Sequence, residues 1–294
     1  MLELDQINRS FGSRQVLTDV SFPVARGRMT GFVGGNGAGK TTTMRIILGV
    51  LAPDGGSVTL DDQRLSAEDR RRFGYMPEER GLYPKMRTAE HLVYLARLHG
   101  FSATAAERNA RDLLEQLGLA ERAGDTVESL SLGNQQRAQI AAALVHEPEV
   151  LVLDEPFSGL DPMAVEVVVN VLRERATAGA PVLFSSHQLD IVERLCDDLV
   201  IIADGRVRAA GSRASLQAQH ASLRYEALLA ADAGWLRQQS GVSILEFDGG
   251  YALFDVADEQ TAQAVLREAV RHGDVVSFAP RRPSLSEIFQ EVIA

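Results

Sequence analysis

The 294-residue chain holds one cysteine, Cys196, and one tryptophan, and no apolar run approaches the roughly 18 residues of a membrane span. A lone cysteine excludes an internal disulfide framework and a multi-cysteine zinc site, and the apolar neighbours of Cys196 predict a packed thiol. Positive charge is also scarce: 30 Lys and Arg stand against 40 Asp and Glu, a net charge of −10. That balance argues against a nucleic-acid footprint over the whole surface, and the local clusters Arg70, Arg71, Arg72 and Arg281, Arg282 read as solvated faces. The opening "MLELDQINRS" carries Glu3 and Asp5 where a secretory signal needs a basic start and an apolar core. A cytosolic chain is expected, unless a partner holds it elsewhere. Internal repeats and low-complexity tracts are missing too.

What is present has an order. The first sixty residues alternate apolar and polar positions in short runs, "LELDQIN", "QVLTDVSFPV" and "SVTL", which predict antiparallel strands. "MTGFVGG" then leads through a Gly-rich loop into the helix "GKTTTMRIILGVL". From Thr88 to about Val145 the period becomes helical, with "TAEHLVYLARLHG" closing on a glycine and "SATAAERNARDLLEQLGL" opening on a Ser cap. Two continuous apolar runs follow, "VLVLDEP" and "PVLFSSH", with a helix between them; this predicts buried parallel strands in an α/β sheet. A hairpin, "LVIIADGRVRAAG", comes next. Near residue 222 a new unit starts, with "LRYEALLA", a short helix around Trp235, a "DGG" hairpin, a long helix, "VVSFA" and a last helix. Its pattern predicts a β-α-β-β-α-β plait.

"GGNGAGKT", residues Gly34 to Thr41, fits G-x-x-x-x-G-K-[ST] and lies between a strand and a helix, as a phosphate-binding loop must. Gly34, Gly35, Asn36, Gly37, Ala38 and Gly39 let backbone N–H groups turn inward around phosphate oxygens. Lys40 reaches the outer phosphates as a point charge, Thr41 offers a hydroxyl to Mg²⁺, and Thr42 and the helix N-terminus donate to the inner phosphates. A dinucleotide fold would need G-x-G-x-x-G, which this loop lacks.

Phosphoryl transfer also needs metal charge, an oriented water and donors for developing charge. Asp154 ends a buried strand, the expected place for a carboxylate holding Mg²⁺. Glu155, one residue on, is the candidate to polarise the attacking water. His187, at the end of the next apolar strand, is placed to donate to the γ-phosphate and fix that water.

Phosphate loop, helical insert, "LSLGNQQR", "VLVLDEP", "SGLD" and "SSH", in this order, resemble the nucleotide-binding subunit of an ABC transporter over residues 1 to 215, with the helical subdomain at about 88 to 147. The resemblance implies a P-loop NTPase of ABC type, α/β in class, with an antiparallel β subdomain and a helical insert. Residues 222 to 294 add a small C-terminal α+β, ferredoxin-like domain. It implies two cassettes packed head to tail, so that the tip of the "LSLGNQQR" helix, with Ser131, Gly133 and Asn134, meets ATP held by the other copy. It further implies that Phe11 stacks on adenine and that Asp161 belongs to the loop crossing the dimer interface. The implied partners are a separate transmembrane permease and a second ATPase subunit, with no nucleic acid. The implied place is the inner face of the membrane, through the permease. The tail "PSLSEIFQEVIA" is similar to the extension found in ATPases of the ABC-2 export class.

Two departures from the family pattern stand out. Asn134 replaces the commoner Gln. Glu78, in "GYMPEERGLYP", replaces a Gln that approaches metal and water; a carboxylate can still ligate Mg²⁺, yet it adds charge and cannot donate when ionised. Residues 75 to 87 are expected to form the groove for a permease helix, with Leu82 and Tyr83 as contacts. Other readings are a soluble ABC-type ATPase acting on ribosomes or DNA, for which coiled heptads and a basic patch are missing. A GTPase would need an Asn-Lys-x-Asp motif, also missing.

Overall fold

The fold was read from a computed structural model that describes residues 1–79, 81–220 and 223–293. Ser222, where the second domain was expected to begin, Ala294 at its end, and Arg80 within the expected groove lie outside the described residues. The chain divides into two compact units, meeting between Arg213 and Ala214.

In the first unit, strands β1 (Leu2–Phe11) and β2 (Arg14–Val24) pair antiparallel around the turn at Gly12 and Ser13. The next strand, β3 (Met29–Val33), is buried at every residue and runs into the phosphate loop and helix α1 (Lys40–Ile47). Strands β4 (Gly55–Leu60) and β5 (Gln63–Arg64) complete a four-stranded sheet of order β2-β1-β4-β5. The short helix α2 (Ala67–Arg70) is closed by a capping box between Ser66 and Asp69. Its last residue corrects the solvated-face reading of Arg70. The guanidinium is half-buried and donates to the carbonyls of Ile47 and Leu65 at 3.0 and 2.8 Å, because the C-terminus of α1 leaves carbonyl groups that need donors. Arg71 and Arg72 are exposed and pair with Glu68, Asp69 and Glu149.

Strand β6 (Phe73–Met76) precedes the helical insert: α3 (Thr88–Leu98), α4 (Ala103–Gln116) and α5 (Leu132–Leu144). The insert's caps follow the sequence signals. Ser102 accepts from the Ala105 N–H and Ser131 from the Asn134 N–H, each contact contributing about 1 kcal/mol of helix stability. The chain then lays down β7 (Val150–Leu153), α6 (Pro162–Thr177), β8 (Val182–Ser186), α7 (Leu189–Leu195) and the hairpin β9 (Asp198–Ala203) and β10 (Arg206–Ser212).

These strands form a six-stranded sheet of order β10-β9-β3-β8-β7-β6, parallel except at the β9–β10 edge. Both β7 and β8 are buried at every position, which is why they read as unbroken apolar runs instead of alternating ones. Cys196 is 2% exposed and its thiol is pushed up to about 12 by burial, so the packed reading of this residue holds.

The second unit opens with helix α8 (Arg213–Gln219) and continues as β11 (Arg224–Leu229), a 3₁₀ turn at Gly234–Gln238, β12 (Val242–Asp248), β13 (Tyr251–Val256), α9 (Glu259–His272), β14 (Val275–Pro280) and α10 (Leu285–Ile293). The sheet order β12-β13-β11-β14, antiparallel throughout, is the ferredoxin-like arrangement. One face of this sheet, with Tyr225, Ala227, Phe254 and Phe278, packs on α9 through Ala262, Val265 and Ala269. The short helix expected around Trp235 is present as the five-residue 3₁₀ helix Gly234–Gln238.

Candidate functional site

Four loops leave the same carboxyl edge of the parallel sheet. The register aligns Val33 with Ser186, Leu153 with Phe184 and Met76 with Leu153. The residues that follow those strand ends, Gly34, His187, Asp154 and Glu78, are therefore neighbours although they are scattered along the chain. Crevices at the carboxyl ends of parallel strands are where α/β folds bind ligands. A cavity of about 610 Å³ lies here, lined by Asn36, Gly37, Gly39, Lys40, Thr41 and Thr42 from the phosphate loop, with Glu78, Asp154, Glu155, His187 and Phe11.

The loop's shape explains its glycines at two positions. At Gly34 a Cβ would run into the Ile202 carbonyl oxygen, and Gly39 sits at φ 109°, in the left-handed region, as the N-cap of α1. Lys40 is 9% exposed, and its Nζ donates to the Gly34 and Gly35 carbonyls at 2.6 and 3.3 Å. The ammonium is thus held over the loop. Ala38 is buried beside it.

Asp154 is 1% exposed, and both its oxygens are engaged: Thr41 Oγ1 donates to Oδ2 at 3.0 Å and Ser185 Oγ to Oδ1 at 2.5 Å. Glu155 takes φ 52°, a left-handed backbone that costs a non-glycine residue about 1–3 kcal/mol. Its N–H donates to Ser185 Oγ at 2.9 Å, and its carbonyl accepts from Gln136 Nε2 at 3.0 Å. From this turn the Glu155 carboxylate reaches His187, whose Nδ1 lies 3.0 Å from Glu155 Oε2.

Phe11 is half exposed, with the Arg9 guanidinium carbon 4.9 Å from its ring centroid. Arg14 and Val16 also line the cavity, and sequence reading missed both. The signal for Arg14 was available: Phe11 and Arg14 are cross-strand partners around a two-residue turn, so whatever faces one faces the other.

Ser131, Gly133, Asn134 and Asp161 do not line this cavity. Ser131 caps α5, Leu132 beside it is 61% exposed, and a Cβ on Gly133 would meet nothing nearer than 3.6 Å. The tip of α5 is an accessible helix N-terminus. The Asn134 side-chain oxygen accepts from Arg137, and Asp161 caps α6 by accepting from the Ala164 N–H at 2.8 Å, with Pro162 in the first turn.

Beside β6 and the insert runs a second groove of about 410 Å³, lined by Pro77, Leu82, Tyr83, His91, Tyr94, Gln139 and His146 among others. His146 stacks on His99 with ring centroids 3.8 Å apart, and burial, with His99 adding to it, holds His146 down at about 4.

The comparisons with known proteins agree with this geometry. The pattern described as ABC transporter matches residues 17–158, and that described as the C-terminal domain of DrrA1-3-like ATP-binding proteins matches residues 211–293. The chain is 34% identical over 293 residues to the uncharacterized ABC transporter ATP-binding protein YhaQ of Bacillus subtilis, covering all of this chain and 98% of that protein. The chain belongs to the ATP-binding proteins of ABC transporters. Other relatives in this family are the Nod factor export ATP-binding protein I of Paraburkholderia xenovorans, 35% identical over 98% of this chain and 95% of its own, and the linearmycin resistance ATP-binding protein LnrL of Bacillus subtilis, 30% identical over 98% and 97%. A solved ATP-binding subunit of an ABC transporter superposes with a TM-score of 0.69 at 36% identity, over 74% of this chain and 92% of that one. As an ABC cassette the protein binds and hydrolyses ATP. Among the described residues, no helix is long and apolar enough to cross a membrane.

Proposed function

We propose that the chain is the ATP-hydrolysing subunit of an exporter, working as a head-to-tail pair against a separate membrane permease that holds it at the inner face of the membrane. The single observation that carries the reading is the split between the two halves of the chemistry. The cavity gathers Lys40, Thr41, Asp154, Glu155 and His187, while Ser131 and Gly133 form an accessible helix tip outside it. A helix N-terminus with free N–H groups attracts an anion, and the anion a second copy would present is the outermost phosphate of its own nucleotide. Export is supported by two relatives named for Nod factor export and for linearmycin resistance.

Mg²⁺ fits the residues present. The Thr41 hydroxyl and the Asp154 carboxylate, 3.0 Å apart, are hard oxygen donors, and Glu78 adds an exposed carboxylate on the cavity wall. A cation of this kind takes one or two such ligands beside water and phosphate, and when bound it neutralises charge on the transferring phosphoryl group.

The chain's own residues supply the rest. Lys40 anchors the outer phosphates, and the Phe11 ring offers a face to the base. Glu155 accepts a proton from the attacking water, while His187, bonded to the same carboxylate, orients it and donates toward the γ-phosphate. Ser131 and Gly133 of the other copy complete the donor set, so nucleotide binding and pairing strengthen each other, and the closing pair moves the permease helix seated in the groove beside Tyr83. Glu155→Gln tests this. With ATP it should run as a stable dimer by analytical ultracentrifugation while turnover falls about 100-fold or more. Monomers at saturating ATP, or parental turnover, would refute the assignment.

A further inference from the structure

Two glutamines one turn apart on α5 do the same thing to two different loops. The Gln136 amide nitrogen forks onto the carbonyls of Glu155 and Pro156 at 3.0 and 3.1 Å; that of Gln139 forks onto the carbonyls of Pro77 and Glu79 at 2.6 and 3.1 Å. Each fork sits at the backbone carrying one of the acidic side chains that line the nucleotide cavity, Glu155 in the first case and Glu78 in the second.

Gln139 is 3% exposed. Because its nitrogen faces two carbonyls, the two ends of the amide are told apart, and Oε1 points away from them. Among the described residues that oxygen has no hydrogen-bond partner, although the residue lines the groove beside Tyr83. An unpaired buried acceptor is costly, and a leucine of similar volume on this apolar helix would avoid the cost. Packing alone therefore favours an apolar residue here. What the amide provides that leucine cannot is the pair of N–H groups on the Glu78 loop.

We propose that Gln139 is a positioning residue for Glu78: its forked amide fixes the Pro77–Glu79 backbone so that the Glu78 carboxylate faces the metal of the bound nucleotide. The inference rests on the reading of Glu78 as a carboxylate toward that metal. It makes α5 a strut with a nucleotide of the other copy at its tip and two of the three cavity carboxylates of its own copy along its side.

The test compares the full chain with Glu78→Ala, Gln139→Leu and the double variant, each loaded with a non-hydrolysable ATP analogue. Mn²⁺ affinity is read by electron paramagnetic resonance, exchange of the Glu78 and Glu79 amides by mass spectrometry, and Tm by calorimetry. Gln139→Leu should weaken Mn²⁺ binding about tenfold and speed exchange of those amides while leaving Tm unchanged, and it should add nothing further in the Glu78→Ala background. Gln139→Glu, which keeps the size but faces the two carbonyls with oxygen, should reproduce the loss even if the leucine variant folds poorly. Unchanged Mn²⁺ affinity in both Gln139 variants beside a weakened Glu78→Ala overturns the positioning role alone, as does an equal loss with and without Glu78. If Glu78→Ala itself binds Mn²⁺ like the parent, the reading of Glu78 fails and the inference falls with it.

Discussion

The two units of this chain use the same elements to opposite ends. In the first, parallel strands all finish at one edge, so the loops after β3, β6, β7 and β8 converge and bring a lysine, two threonines, three carboxylates and a histidine around one cavity. In the second, every neighbouring pair of strands is antiparallel, so successive strand ends fall at opposite edges. One of its charged clusters is engaged within the fold instead: Arg224 binds Asp255 in a fork at 2.8 and 3.3 Å and reaches Glu287 at 3.5 Å. In this chain, parallel strands gather polar side chains at one cavity, whereas the antiparallel sheet holds the Arg224 cluster in place.

The contrast can be broken experimentally, and the largest effect is expected at Lys40. Lys40→Ala removes the buried cation over the phosphate loop, and ATP affinity measured by titration calorimetry should fall about 100-fold or more, since a charge-assisted contact to phosphate is lost where little water replaces it. Parental affinity would dissociate the loop from nucleotide binding. Phe11→Ala comes next: losing one stacking face should weaken ATP binding about tenfold, with an equal loss for ADP because the phosphates are untouched. A loss confined to ATP would move Phe11 away from the base. The smallest effect belongs to the second unit. Arg224→Met breaks a partly exposed pair of about 1 kcal/mol, so the unfolding transition should drop by only about 2–4 °C with ATP affinity unchanged. A fall in affinity there would show that the second unit's charges serve the nucleotide after all.

How much of this could be read from the residues depends on how each one acts. The phosphate loop carries a glycine pattern, and the roles proposed for Lys40, Thr41, Asp154, Glu155 and His187 lie in side chains close after strand ends, so a strand pattern followed by the right residue type exposes them. Arg70, Gln136 and Gln139 act on backbone carbonyls that are distant in sequence and have no residue signature; a carbonyl to be satisfied cannot be recognised from the letters around it. The left-handed backbone of Glu155 is hidden for a similar reason, because glycine is the usual sign of that conformation and here two tertiary hydrogen bonds replace it. The ferredoxin-like plait, with its short helix around Trp235, was legible from its alternating runs and its "DGG" turn.

Ser185 has one hydrogen to give, and it goes to Asp154, leaving only a lone pair for the Glu155 amide. The bonds through this hydroxyl therefore run one way, from the Glu155 amide through the serine oxygen to the Asp154 carboxylate. Alanine in its place would strand an oxygen on one side and an N–H on the other, whereas threonine could carry both. One small side chain thereby ties the backbone of one acid to the carboxylate of its neighbour.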